Sequence, residues 1–148
     1  MALSADRNTV RVGEHALAEN HGLLVAAGAK IYQGAIVMID AGYAKPGATA
    51  ASKVAAGVAE FQADNTAGSN GAIRVRVRSG IFKFLNSGTD ALAQADVGNV
   101  CYIEDDQTVS KTATGKTAAG RLLGLDTDGQ CIVQMGPGLG AVWITGGV

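Results

Sequence analysis

The chain has few of the residues that usually anchor a large core or build a chemical site. Only 5% of its 148 residues are aromatic, and it has two cysteines, Cys101 and Cys131. Two thiols cannot make a disulfide scaffold or a complete zinc site. A pairing of the two across neighbouring strands is one interpretation, and free thiols in a reducing compartment are the preferred one.

The chain also lacks an excess of one charge and a long apolar run. Twelve basic residues stand against 13 acidic ones, for a net charge of −1, so no strong field attracts nucleic acid or an anionic membrane. The longest clear apolar run, residues 23–28, is far shorter than the roughly 18 residues that indicate a membrane span. Residues 1–10 lack the basic and apolar regions of a secretory signal, so none is expected.

Small residues take the place of the missing bulk. There are 26 alanines and 21 glycines, while Val, Ile, Leu and Phe supply 35 residues. That last group is about a quarter of the chain, above the roughly 20% below which chains tend to be disordered. A chain of this length forms one domain and buries most of its unfolded surface. The composition therefore predicts a real core built from small side chains.

Short apolar runs separated by glycine-rich turns are typical of an all-β protein. We predict a small β-barrel or β-sandwich over residues 23–135, with an N-terminal arm at 1–22 and a C-terminal tail at 136–148. One short helical turn is expected between Thr89 and Asp96. Residues 54–61 are ambiguous because alanine favours helix, but Gly57 interrupts the run and favours a strand. The other predicted strands are 23–26, 31–39, 73–77, 81–85, 100–104, 108–109, 122–125 and 131–135.

The clearest periodicity places apolar residues at 73, 75 and 77 and arginines between them, at Arg74, Arg76 and Arg78. A period of two predicts a strand with one apolar face and one basic face. The basic face is either solvated or a contact surface, because arginine is enriched at interfaces and binds carboxylates bidentately.

The apolar parity then changes, because Phe82 and Phe84 have even numbers. Either a hairpin turns at Ser79-Gly80, or a β-bulge at Gly80 shifts the register. The bulge is slightly preferred, since the hairpin would set Arg76 opposite Lys83.

Several short motifs suggest chemistry but lack the residues that it needs. Residues 110–117 end like a phosphate-binding loop but have Ser110 where the first glycine belongs. Residues 126–129 resemble the start of a calcium loop, but the twelfth position is Pro137 instead of glutamate, and a hairpin turn fits better. Residues 136–141 have too little chain after them for a dinucleotide fold, and 104–106 fit a solvated turn. His15 and His21 have no partner motif. We therefore predict no catalytic, cofactor or metal site, and a protein that is not an enzyme.

The two predicted arms carry apolar residues that could bind a partner. Trp143, the only tryptophan, could anchor in a neighbouring subunit or fold back over its own barrel, and the two are about equally expected. The candidate partner-binding residues are Leu3, Val10, Val12, Arg74, Arg76, Arg78, Val142, Trp143 and Ile144.

One series of residues carries a family resemblance. Residues 25–37 read V-x-A-G-x-x-I-x-x-G-x-x-V, and later segments continue the pattern at 56–59, 75–82, 95–98, Tyr102 and 119–122. In this order the chain resembles the capsid cement, or head decoration, proteins of tailed phages and prophages. The resemblance covers roughly residues 23–135 and consists of glycine and apolar positions.

The resemblance implies a small β-domain that binds the outside of an assembled icosahedral shell and braces the major capsid protein. Such proteins are often homotrimers, act on the virion surface after assembly in the host cytoplasm, and use no catalytic residues or cofactors. Binding of nucleic acid or membrane is not expected. The alternative is a small ligand- or carbohydrate-binding β-barrel, such as a tail or fibre accessory, which would need a concave pocket lined with aromatic residues.

Overall fold

The computed structural model describes residues 22–135, and their regular structure is almost entirely β-strand. One three-residue 3₁₀ turn, Gln94–Asp96, is the helical element in this range. The all-β prediction with a short helical turn is confirmed, whereas residues 1–21 and 136–148 of the predicted arms lie outside the described residues. In chain order the strands are β1 (Leu23–Leu24), β2 (Lys30–Ile31), β3 (Ile36–Asp40), β4 (Tyr43–Pro46), β5 (Val54–Ala59), β6 (Ala63–Asp64), β7 (Arg74–Val75), β8 (Val77–Arg78), β9 (Gly80–Asn86), β10 (Val100–Ile103), β11 (Thr108–Ser110), β12 (Ala118–Leu125) and β13 (Cys131–Met135).

The later half of the chain closes into a five-stranded barrel in the order β10-β11-β9-β13-β12. The pairing of β11 with β9 is parallel, and the other neighbours are antiparallel. β12 and β13 form the predicted hairpin with Asp128-Gly129 at its turn. Closure leaves these strands without an open sheet edge, which removes a common site of aggregation.

Side chains fill the inside of the barrel. Phe84 is 5% exposed, and Ile103, Leu122 and Val133 are completely buried. We call this group the barrel core, and small barrels are typically filled in this way. Its members on the barrel strands are Phe84, Cys101, Ile103, Val109, Ala119, Leu122, Cys131, Val133 and Met135, and those from elsewhere in the fold are Leu92, Ile36, Met38, Ala55 and Val58.

A four-stranded sheet in the order β4-β3-β5-β8 packs against the barrel and is buried on both faces. Ile36 and Met38 of β3 belong to the barrel core, while Val37 between them belongs to a second cluster. This arrangement explains the uninterrupted apolar run around residues 35–39, because strands covered on both faces do not alternate.

The second cluster, which we call the sheet core, joins the other face of this sheet to two short ladders. The ladders pair β1 with β7 and β2 with β6. The sheet core has ten buried members. They include Val75 and Val77 from the arginine-rich strands and Val25 near the start of the described residues. The alternation predicted for residues 73–78 is therefore confirmed, with Val75 and Val77 buried and the three arginines exposed.

The hairpin alternative at Ser79-Gly80 is wrong. β8 pairs with β5, whereas β9 pairs with β13 and β11, so the chain passes from the sheet to the barrel at this point. The shift in parity is real and falls at Gly80, whose φ of 151° is a conformation that favours glycine. Two consecutive strands thus serve different layers.

Two local predictions also need correction. The helical turn does not begin at Thr89 or Asp90, because the Asp90 carboxylate instead accepts hydrogen bonds from Thr112; the turn starts after Ala93. The sequence analysis also left out β4, which holds the sheet edge and ends in Pro46. An edge position tolerates a proline because one side of an edge strand makes no ladder hydrogen bonds.

Candidate interaction surface

The three predicted arginines lie on one exposed edge of the molecule, and each is positioned by a different contact. Arg74 Nη1 donates a hydrogen bond of 3.3 Å to the carbonyl oxygen of Gly22. The Arg76 Nε atom is 3.4 Å from Glu60 Oε2, in an ion pair with a carboxylate that is 27% exposed. These contacts hold long side chains that would otherwise lose conformational entropy on binding a partner.

Aromatic rings lie under two of the guanidinium groups. The Arg76 guanidinium carbon is 5.8 Å from the centre of the Phe61 ring, and that of Arg78 is 5.8 Å from the Phe82 ring. Such cation–π contacts orient the guanidinium groups across the surface. Phe61 remains 58% exposed, so the pair presents an aromatic ring and a cation together.

Phe61 and Ile81 are surface residues that the set of candidates predicted from the sequence does not include. They are 58% and 59% exposed, the largest exposures among the large apolar residues of the described chain. For Phe61 the available signal was its setting, Glu60-Phe61-Gln62, because an aromatic residue between two polar neighbours is not typical of a core; the predicted strand 54–61 included it, whereas β5 ends at Ala59. For Ile81 the signal was the even parity of Phe82 and Phe84, because a period of two places Ile81 on the opposite face of the strand from these rings.

The remaining partner-binding candidates fall outside the described residues. These are Leu3, Val10, Val12, Val142, Trp143 and Ile144. The structure therefore brings together only the arginine part of the predicted set and adds Phe61 and Ile81 to it.

Side chains of the loop that resembles a phosphate-binding motif make hydrogen bonds to other parts of the protein. Lys116 Nζ donates to Ser110 Oγ at 2.7 Å and to Asp90 Oδ2 at 3.2 Å, with its side chain 15% exposed. The Thr117 hydroxyl donates to the Ala50 carbonyl oxygen at 2.6 Å. These bonds tie the loop between β11 and β12 to the rest of the fold.

In the same cluster, Ser110 and Lys116 are close enough to be a serine nucleophile and its lysine base, but their surroundings do not favour that reaction. Ser110 is completely buried, so no substrate reaches its hydroxyl. Lys116 Nζ donates its hydrogen bonds to Ser110 Oγ and Asp90 Oδ2, whereas a general base would have to accept the serine proton. Hydrogen bonds from the backbone and hydroxyl of Thr112, together with that of Lys116, hold the pKa of Asp90 below its usual value.

The aspartates of the predicted turn at 126–129 bind a lysine. Lys83 Nζ is 2.7 Å from Asp126 Oδ2 and 2.7 Å from Asp128 Oδ2. These contacts raise the pKa of Lys83 and lower those of both aspartates. Within residues 22–135 no group of three or more His, Cys, Asp and Glu residues is arranged to hold a metal ion.

Both cysteines are free and buried in the barrel core. Burial raises the pKa of Cys101 to about 12 and that of Cys131 to about 11. Thiols with such pKa values are poor nucleophiles at neutral pH, because the reactive species is the thiolate. Both thiols contribute to the packing of the barrel core. The Cys101 thiol also lies 3.6 Å from the Gly120 carbonyl oxygen.

An open groove of about 350 Å³ lies where the 32–35 segment meets the turn after β10. Tyr32, the one aromatic residue in its lining, is 54% exposed and lies 5.1 Å from Lys30 Nζ. A carbohydrate or small-ligand site would favour a concave pocket with several aromatic walls. The groove is lined by Tyr32, Gln33, Gly34, Ala35, Asp106 and Gln107.

The described residues thus define an all-β protein with a filled five-stranded barrel, a sheet packed on it, and an exposed edge of arginine, phenylalanine and isoleucine. The helical element among them is three residues long, too short to cross a bilayer. Comparisons with protein-family models, with curated proteins and with solved structures each found no match.

Proposed function

We propose that this protein is a structural component of a tailed-phage virion that binds the outer surface of the assembled capsid and stabilises it. The sequence resemblance over residues 23–135 supports this proposal. The major capsid protein is the proposed partner, and the decoration protein itself is proposed to be a homotrimer that assembles with the head in the host cytoplasm.

The observation that carries the proposal is the distribution of side chains between inside and outside. The barrel interior is occupied by its own apolar residues. On the surface, the guanidinium groups of Arg76 and Arg78 lie against the rings of Phe61 and Phe82, and Arg76 also pairs with the Glu60 carboxylate. Arginine and aromatic residues are the types most enriched at the centre of protein interfaces. The molecule is therefore better suited to adhere to another protein surface than to enclose a ligand.

Many weak contacts suffice for such a role. When several copies engage one lattice, each later contact forms at a high effective concentration, and the shell as a whole is stabilised more than one contact would suggest. A protein that binds the assembled shell more tightly than its separate subunits also raises the stability of the shell by mass action.

Co-sedimentation tests this function directly. The purified protein is mixed with empty expanded shells assembled from the major capsid protein of the same genome and centrifuged. We expect it to pellet with the shells, to stay in the supernatant alone, and to raise the temperature at which the shells fall apart. Retention in the supernatant at saturating concentration would overturn the proposal. Light scattering of the free protein, at three times the 14.9 kDa chain mass, tests the trimer separately.

A further inference from the structure

The two ends of the described chain arrive at the same short segment of the fold. At one end, Gly22 accepts the hydrogen bond from Arg74, and β1 pairs Leu23 with Val75. At the other end, Met135 of β13 pairs with Gly80. The segment from Arg74 to Gly80 therefore contains both points at which the first and last described residues, Gly22 and Met135, contact the fold.

The exposed residues of this segment follow one another closely along the chain. Arg74, Arg76 and Arg78 alternate along it, which places successive guanidinium-bearing residues about 7 Å apart. Phe61 joins these residues through its contact with Arg76, and Ile81 follows directly after Gly80. We call these five residues the arginine edge.

We propose that the arginine edge is the surface that docks on the capsid shell, and that it binds a carboxylate-bearing protein surface with an apolar recess for Phe61 or Ile81. This inference rests on the proposed function and adds which side of the molecule makes the contact.

The chemistry of the edge selects an acidic partner. A guanidinium group presents a planar set of donors that matches a carboxylate bidentately, and such charge-assisted bonds are roughly twice as strong as neutral ones. Three such groups lie on one edge of a chain whose net charge is −1. A second copy bound through the same edge about a two-fold axis would place the arginines of one copy opposite those of the other. Like-charge repulsion opposes this arrangement.

Contacts within the protein also hold the side chains of the arginine edge in one orientation before a partner binds. Glu60 and Phe61 hold Arg76, and Phe82 lies under Arg78. Side chains already held in one orientation lose less entropy when an interface forms around them.

Paired variants on the arginine edge and away from it test the inference. Phe61→Ser and Arg78→Glu change the arginine edge, while Leu85→Ser and Lys111→Glu make the same kinds of change near the other end of β9. Leu85 is 43% exposed and the Lys111 side chain 56% exposed, so neither control replaces a buried residue. Lys111→Glu also breaks the 3.3 Å ion pair with Asp96, so its unfolding temperature is measured beside its binding. Each protein is titrated against the expanded shells in the co-sedimentation assay, after circular dichroism has shown that it is folded.

We expect each edge variant to bind the shells at least about tenfold more weakly than the wild type, the usual effect of removing an interface anchor. Both controls should stay within about twofold. Raising the salt from about 0.05 M to about 0.5 M should weaken the wild type more than Arg78→Glu, because salt screens the arginine–carboxylate attraction.

The outcomes separate this inference from the function on which it rests. Edge variants that bind like the wild type overturn the inference alone and leave shell binding intact. A loss of oligomer mass in the edge variants, measured by light scattering, would assign the edge to contacts between copies and also overturn it. A wild-type protein that never pellets with shells overturns both.

Discussion

Asn65 is a polar residue that the fold has buried, with 2% of its surface exposed. Its side-chain nitrogen donates to the carbonyl oxygens of Val25, Ala26 and Ser69 at 3.2, 2.9 and 2.9 Å. One amide thereby joins the start of the described chain to the loop after β6. The composition of residues 64–71 predicts a loop, but nothing local distinguishes Asn65 from Asn70, whose side chain is exposed.

The substitution Asn65→Ala should therefore destabilise the protein by about 2–3 kcal/mol, because it removes three hydrogen bonds from a buried amide, although each carbonyl keeps one backbone donor. Asn70→Ala is the matched control. It removes one exposed acceptor from the Ala27 N–H, at 2.8 Å, and should cost less than about 1 kcal/mol. Urea unfolding followed by circular dichroism measures both, and equal losses would contradict the assigned role of Asn65.

Asp40 gives a residue-scale prediction for pH. Its two carboxylate oxygens are each 2.8 Å from a lysine nitrogen, of Lys45 and of Lys53. Hydrogen bonds from these two lysines lower the pKa of Asp40 from 3.8 to about 2. Because the folded pKa is below the unfolded one, the ionised carboxylate stabilises the fold above about pH 4, and this contribution is lost as the pH falls towards 2.

Asp40→Asn should therefore unfold at lower urea concentration than the wild type at pH 7, and the difference should shrink between pH 4 and pH 2. Lys45→Met, which removes one partner, should show the same convergence. A difference that stays constant over this pH range would mean that the carboxylate charge is not what stabilises the fold here.

At the scale of elements, β5 shows how the layers packed on a strand determine the size of the side chains that it can hold. Its residues from Ala55 to Ala59 are all buried, because the barrel core covers one face and the sheet core the other. Small residues fit between two covered faces, so the alanine-rich run that suggested a helix in isolation becomes a strand. The pairing of β3 with β5 shifts register between Val37 and Met38, beside Gly57.

Gly57 is required at that point for two reasons. Its φ is 142°, and a Cβ atom there would overlap the carbonyl oxygen of Arg78 on β8. Gly57→Ala should therefore cost more than about 2 kcal/mol by displacing β8, which also carries part of the arginine edge.

Gly124→Ala is the control within another strand. No atom lies within 4 Å of a Cβ built at Gly124, so this variant should stay within about 1 kcal/mol of the wild type. Urea unfolding separates the two. If both alanines are tolerated alike, β5 and β8 are not in close backbone contact.

At the scale of the whole molecule, the described fold contains the pairings that close it. β1 pairs with β7, and β13 completes the barrel between β9 and β12, all within residues 22–135. Deletion of residues 1–20 should therefore leave a cooperatively folded β-domain but weaken binding to shells. Circular dichroism and co-sedimentation measure the two effects, and loss of folding would place the segment within the core.

Trp143→Ala tests the other end of the chain in the same way. We expect this change to reduce shell binding or oligomer mass more than it lowers the unfolding temperature, because the described barrel core is filled without Trp143. A large drop in unfolding temperature with unchanged binding would instead mean that Trp143 folds back over its own barrel.

The sequence by itself determined the fold class and the faces of the clearest strand. Apolar runs between glycine-rich turns predicted an all-β protein, and the period of two at residues 73–78 predicted which side chains are buried. Turn residues predicted the hairpin at Asp128-Gly129. These features are local, because each depends on the conformations open to a few neighbouring residues.

Only the tertiary structure decided which layer each strand joins. Nothing near Gly80 shows that β8 belongs to the sheet and β9 to the barrel, because distant partners, such as Met135 for Gly80, make that choice. Long-range contacts also place the Phe61 ring beside Arg76 and bring Gly22 and Met135, the two ends of the described range, to the segment that carries the arginines. A surface assembled from distant segments is set by packing and hydrogen-bond partners across the fold, which no local pattern encodes.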